Sequence, residues 1–445
     1  MPPRTSHDSL DDDEKASDER TLQAQDGIRA SSEGGIHDVA LKDAEDDEYP
    51  DGGLRAWLVV FGGALGNAAT FGFVNAWGEF QSYYETTLLS DTSPSTIAWI
   101  GSIQYAFSFV PGLVLGQLFD RGHLRVPLAM STVAFVVCTL LVAQCKVYWQ
   151  FLLCQGIAMG LAAGAIYAPL VAVVAHWFER RKGLALSVMA LGSSISATVF
   201  PILVHNLIRT VGFQWTMRII ALIVLCLLIG TNLTLVRRLP PKASSGPIID
   251  LREFKSLTYT VYCLATLTAF LGLYTMLTYI NVSAELAGVD PNFAEYLVSI
   301  VNAGSIAGRV LSGYLGDRYG PLNVMAPSAL LAGTTTFIWP FLRTQPGFIA
   351  LGVINGVCNG AYGSIISQPV ISMGETQTVG LRVGMFFTVL ALGAVAGPPI
   401  SGAINAATGG YKASGIYAGS CIFVSVILML LSRHLLLKGK LHGKA

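Results

Sequence analysis

Two short stretches of this chain end alike. Residues 116–122 read Gly-Gln-Leu-Phe-Asp-Arg-Gly and residues 313–320 read Gly-Tyr-Leu-Gly-Asp-Arg-Tyr-Gly, so Gly116, Leu118, Asp120 and Arg121 recur as Gly313, Leu315, Asp317 and Arg318. The offset, 317 minus 120, is 197 residues, roughly six membrane-crossing helices of about 20 residues each with their loops. Such a spacing describes a six-helix unit used twice.

The rest of the chain agrees. Of its 445 residues 52% are hydrophobic and only 13% charged, against about 25% charged in soluble domains; it belongs in a bilayer. Twelve apolar runs follow one another from 55–83 to 411–436, each long enough to cross about 30 Å of hydrocarbon. We therefore expect an all-α membrane protein of twelve transmembrane helices in two six-helix bundles, 51–236 and 257–436, with a short tail at 437–445. The linker between them, 237–256, is rich in Pro, Ser and basic residues.

Charge sets the expected orientation. The net charge of zero conceals a division, because residues 1–50 hold fifteen Asp or Glu against five Arg or Lys. That segment reads as a disordered acidic tail, with too little apolar content to offset its ordering entropy. No secretory signal precedes it, so it should be cytoplasmic. With the tail inside, sixteen Arg or Lys fall in inner loops and at the C-terminal end, and four (Lys146, Arg209, Arg343 and Lys412) fall in outer loops. This is the positive-inside bias. It puts both termini in the cytoplasm of a multi-pass protein whose default address is the plasma membrane.

Several function classes are excluded by missing signatures. There is no G-x-x-x-x-G-K-[ST] loop, H-E-x-x-H, G-x-S-x-G or Cys/His metal spacing, and the seven cysteines form no C-x-x-C. No enzyme, cofactor, metal or nucleic-acid reading is expected; the partners are the lipid bilayer and a small organic molecule, and the chain should be a monomer. Asn281-Val-Ser283 has glycosylation spacing but falls within a helical run.

The most informative single residue is Arg309. It lies eight residues before Asp317, about 12 Å along a helix, and so well inside the membrane. A guanidinium there is costly, and usually faces a bundle interior or a water-filled cavity.

Three motifs carry a resemblance to a known family. Asp51-Gly52-Gly53-Leu54-Arg55-Ala56-Trp57 resembles the entry signature of the monocarboxylate-porter family within the major facilitator superfamily. Phe80-Gln81-Ser82-Tyr83-Tyr84 with Ser95-Thr-Ile-Ala-Trp99-Ile-Gly-Ser-Ile-Gln104 is similar to its fungal branch, as is Trp177-Phe178-Glu179-Arg180-Arg181-Lys182-Gly183-Leu184-Ala185. The resemblance implies two bundles that rock about one central site. On that fold Asp120 and Asp317, with Arg121 and Arg318, fall at inner helix ends, where a carboxylate meets the positive start of a neighbouring helix and helps hold the inner side shut. The family further implies a role for Arg309 in anion and proton coupling. Here Ser305 stands where an acid is expected one turn earlier, and the family's first-helix lysine aligns near Asn75.

Aromatic and amide side chains remain to line a cavity. By depth they are Asn67, Phe71 and Asn75 on the first helix, Gln104 on the second, Tyr167 on the fourth, Tyr274 and Thr278 on the seventh, and Asn355, Asn359 and Tyr362 on the tenth. With one Arg they suit a moderately apolar organic molecule bearing one anionic group. The expected function is secondary transport by alternating access, with export of a fungal secondary metabolite ahead of proton-coupled uptake of a monocarboxylate or vitamin-like acid. A transporter-like nutrient sensor is the remote alternative.

Overall fold

Among the described residues, twelve helical passages follow one another. They are α1 Gly53–Leu88, α2 Thr96–Asp120, α3 Arg125–Val142, α4 Tyr148–Trp177, α5 Lys182–Val211 and α6 Phe213–Thr234, then α7 Leu257–Leu286, α8 Leu297–Tyr319, α9 Pro321–Phe341, α10 Gln345–Ser372, α11 Thr376–Thr408 and α12 Tyr411–Leu436. The computed structural model describes residues 50–241, 251–294, 296–440 and 443–444. All but the last residue of the expected tail, and the centre of the 237–256 linker, lie outside them. Among the described residues there is no strand.

Eleven passages are apolar and long enough to cross a membrane on composition alone. The exception is α8, which carries Arg309, Asp317 and Arg318 among glycines and serines. It is accommodated because it packs between α5 and α10, which take its polar side out of lipid.

Each half repeats one set of neighbours. In the first, α1 packs on α5 and α6, and α3 on α4 and α6; in the second, α7 packs on α11 and α12, and α9 on α10 and α12. The first helix of each half is interrupted at the same place: α1 breaks at Ala76 and α7 at Leu273 and Tyr274, and 273 minus 76 is again 197. The halves meet along two seams, α2 against α11 and α5 against α8.

Lipid gives helices no hydrophobic reason to associate, so close backbone approach has to supply the packing. A Cβ built on Gly308 would lie 1.9 Å from the Val357 carbonyl oxygen, and one on Gly356 would lie 2.1 Å from that of Val301. Only glycine lets α8 and α10 meet at this distance.

Two of the sequence motifs turn out to be one structure. Asp51 Oδ1 accepts the backbone N–H groups of Glu179, Arg180 and Arg181 at 2.8, 2.8 and 3.2 Å. Trp57 packs edge-on against Phe178, with ring centroids 5.3 Å apart. The chain entry therefore clamps the turn between α4 and α5.

One expectation is corrected and one holds. Arg382, counted above among the loop charges that orient the chain, is buried in the first turn of α11 and 1% exposed. It donates to the carbonyls of Val370, Ile371 and Glu375 and to the Thr378 hydroxyl, pinning the α10–α11 connection. The Asn281 glycosylation spacing lies inside α7, where Ser283 is buried, donates to the Ile280 carbonyl and accepts from Trp339 Nε1 at 2.8 Å, so it is not presented as an acceptor.

Gly308→Ala should cost about 1–3 kcal/mol through overpacking and lower the apparent Tm of the purified protein. Gly78→Ala, with nothing within 4 Å of its Cβ, should leave Tm unchanged or raise it, since alanine favours the helix by up to about 1 kcal/mol.

Candidate functional site

At one end of the molecule both seams are locked by carboxylates. Asp120, the last residue of α2, accepts from Gly380 N at 2.9 Å and Leu381 N at 2.8 Å, in the first turns of α11. Asp317, near the end of α8, accepts from Gly183 N at 2.6 Å and Leu184 N at 2.9 Å, in the first turn of α5. Every partner obeys the repeat, because 380 minus 183 and 381 minus 184 are also 197. These amides are orphan donors of a helix start. A carboxylate there gains charge-assisted bonds and the favourable end of the helix dipole. Gln368 Nε2 adds a bond to Asp317 at 3.1 Å. Arg318 does not bridge the halves in this way: it is exposed, donates to the Tyr314 hydroxyl at 3.4 Å and lies over the Tyr319 ring, all on its own helix end. Arg121 is the half-buried C-cap residue following Asp120.

Mid-membrane, between the halves, lies a cavity of about 70 Å³. At ~10–15 Å³ of water-centre space each, it holds roughly five to seven waters. Its walls are aromatic. The Phe71 and Tyr167 rings meet at 4.7 Å, Tyr105 and Tyr274 at 4.9 Å, and Tyr167 and Phe387 at 5.1 Å.

Arg309 is the only charged group among the residues that line it. Its Nη1 donates to the Ala190 carbonyl at 3.0 Å across the α5–α8 seam, and its Nε is buried without a partner. Tyr105, Tyr167 and Tyr274 line the same cavity. Asn67 donates to the Met189 carbonyl, next in sequence to Ala190, at 3.3 Å. A buried cation with no carboxylate among the cavity-lining side chains can meet an anionic group there.

Of the eleven cavity candidates, the structure brings Arg309, Asn67, Phe71, Tyr167 and Tyr274 together here. The other six do not line the cavity. Asn75 and Thr278 bond back to the carbonyls of Phe71 and Tyr274 one turn earlier, at 2.6 and 2.8 Å. Asn355 is held by the Thr335 hydroxyl and Asn359 by Asn355, at 2.8 and 2.7 Å, inside the second bundle. Tyr362 is buried in that bundle, and Gln104 is 1% exposed between helices of the first.

The lining residues that sequence reasoning missed sit beside those it chose. Tyr105 and Phe109, one turn apart on α2, face the cavity where Gln104 does not; Ser364 and Ser367 do so on α10, with Phe270 and Phe387 from α7 and α11. The i, i+4 spacing of Tyr105 and Phe109 was the available signal.

Comparison with known proteins decides the family. The sequence profile of the Major Facilitator Superfamily matches residues 56–288 and again 262–442. The chain belongs to the Major Facilitator Superfamily. It is 36% identical over 391 residues to MFS-type transporter 1 of an Ophiocordyceps species, covering 87% of each chain. It is 33% identical over 389 residues to the aspyridones efflux protein apdF of Emericella nidulans, covering 87% of this chain and 79% of that one. The crystal structure of the superfamily transporter FucP in its outward conformation overlays with a TM-score of 0.68 at 16% identity, covering 85% of this chain and 98% of FucP, and so shares the fold.

The protein is thus a transporter of this superfamily, embedded in a membrane by multiple passes. A typical ligand pocket of about 300–1,000 Å³ far exceeds its present cavity. The halves must part for a substrate to enter, and at the lock end they are shut.

Each lock consists of charge-assisted bonds worth about 1.5–3 kcal/mol each. Asp120→Asn and Asp317→Asn should insert normally but shift the population toward the form open at the lock end. Spin labels across the lock ends of α5 and α8 should report a longer mean distance in Asp317→Asn, together with slower transport.

Proposed function

We propose that the protein exports an organic anion of largely aromatic, apolar character, a fungal secondary metabolite, by alternating access. The observation that carries this reading is Arg309, a buried guanidinium in an aromatic cavity with no Asp or Glu on its walls. The substrate's acidic group supplies the missing counter-ion, and its ring system takes the place of water against Phe71, Tyr105, Phe109, Tyr167 and Phe387. A relative 33% identical to this chain is named for efflux of aspyridones, which favours export over uptake. The absence of a carboxylate beside Arg309, where Ser305 stands, argues in the same direction.

Within the superfamily we place the chain with the monocarboxylate porters, on the strength of the Asp51 and Trp177–Ala185 motifs that clasp one another. We further take the lock end as the cytoplasmic face and the plasma membrane as the location, since with the buried Arg382 set aside fifteen of the nineteen loop and C-terminal cations of the sequence are expected on that face.

Deleting the gene should raise the cell-to-medium ratio of an acidic, mostly apolar metabolite, read by untargeted comparison of cell extract and medium. Arg309→Gln should reproduce the deletion, whereas Asn359→Ala, which touches the bundle interior rather than the cavity, should change export less than about twofold. An unchanged distribution in the deletion strain, together with proton-driven carboxylate uptake into vesicles, would reverse the reading.

A further inference from the structure

The two repeats match residue for residue at the locks but not on the way from the locks to the cavity. A shift of 197 pairs Asp120 with Asp317, Gly116 with Gly313 and Gly183 with Gly380. Closer to the cavity it pairs Arg309 with Gly112, Ser187 with Gly384, and Ser364, Ser367 and Gln368 with Tyr167, Leu170 and Val171. The polar member of each pair lies in the wedge formed by α5, α8 and α10. The glycine, aromatic or aliphatic member lies in the wedge of α2, α4 and α11, where Tyr167 and Val171 also reach the cavity wall while Leu170 and Gly384 do not.

The packing differs in the same sense. In the α2–α11 seam, a Cβ on Gly384 would lie 1.9 Å from the Gly112 oxygen and one on Gly116 would lie 2.0 Å from the Gly380 oxygen. Backbone rests on backbone over two turns, leaving no space for solvent. In the α5–α8 seam the corresponding distances, from Gly313 to the Gly183 oxygen and back, are 2.9 and 3.0 Å. Here Ser187 Oγ, Gln368 Oε1 and Arg309 Nε are all buried without partners. Gln368 holds Asp317 at the lock, and the residue before it, Ser367, lines the cavity.

We propose that the charged group of the substrate passes between the lock end and the cavity through the α5–α8–α10 wedge, past Ser187, Gln368 and Ser367, while the α2–α4–α11 wedge stays dry and serves as the hinge. Buried polar atoms without partners cost free energy that water or a ligand's polar group removes. Opening the polar wedge therefore recovers that cost, whereas opening the glycine seam breaks close van der Waals contact and offers an anion nothing. The proposal deepens the reading of the cavity as an anion site and rests on it.

The test uses the full chain in proteoliposomes, with both locks released by Asp120→Asn and Asp317→Asn. Gln368→Cys is compared with its repeat-mate Val171→Cys, each exposed from the lock side to the membrane-impermeant anion 2-sulfonatoethyl methanethiosulfonate. Adduct mass is counted above that of the parent chain with its seven native cysteines. Gln368→Cys should react at least tenfold faster than Val171→Cys. Ser367→Cys against Leu170→Cys gives a second pair with the same expectation, should either member of the first fail to insert. Equal rates, a faster reaction on the α4 side, or no reaction on either side would overturn the proposal. Adding Arg309→Gln separates it from the reading beneath it. A slower reaction with the sulfonate relative to the trimethylammonium reagent supports an anion cavity; an unchanged ratio with the α10 position still ahead keeps the wedge and removes the anion.

Discussion

Each half of this protein ends its second helix in a carboxylate that reaches across to the first turn of a helix in the other half. Asp120 holds the start of α11 and Asp317 the start of α5, and both use two oxygens on two consecutive amides. The arrangement needs donors that no intrahelical carbonyl claims, which only a helix start provides. It also needs glycine at the point of contact: a Cβ on Gly183 or Gly380 would press into the same carboxylate at 2.8 or 2.7 Å. The bonds are strong enough to keep two rigid bundles together at one end. They are also breakable, because both the carboxylate and the amides can be met by water when the halves part.

The cavity obeys a different rule from the locks. At the locks the two seams repeat each other residue for residue, a carboxylate on two amides of a helix start in each. At the cavity, two-fold symmetry would place a second arginine where Gly112 stands, and two facing guanidiniums would repel at a depth where little solvent screens them. The second half therefore supplies the only charge on the cavity wall, while hydroxyls come from both halves, Tyr105, Tyr167 and Ser193 from the first and Tyr274, Ser364 and Ser367 from the second. An amphipathic substrate has one orientation in which its polar end meets polar atoms, so the broken symmetry also selects how it lies.

Much of this was legible in the chain itself. The repeat announced the locks, since Gly116 and Asp120 reappear 197 residues later, although their glycine partners at 183 and 380 obey the same offset and were not paired with them. Arg309 stood out because charge at mid-membrane is expensive. The amide candidates fared worse. Asn355 and Asn359 are polar residues of the right depth, but one helical turn apart they satisfy each other, with Thr335 beside them. Depth picks Gln104 on α2, yet one residue is about 100° of helix rotation, and its neighbour Tyr105 is the one that lines the cavity.

The chain read by itself decides that these helices span a membrane, that the unit is doubled and that a guanidinium lies within it, since apolar runs, a motif repeated at a 197-residue offset and the depth of one Arg are all read along the sequence without knowing which helices touch. The tertiary structure decides which face of each helix meets the cavity, which glycine each carboxylate finds, and that one seam is dry while the other is polar. Those outcomes rest on contacts between residues as far apart as Asp120 and Gly380, and no period or motif along the chain encodes the rotation at which two packed helices come to rest.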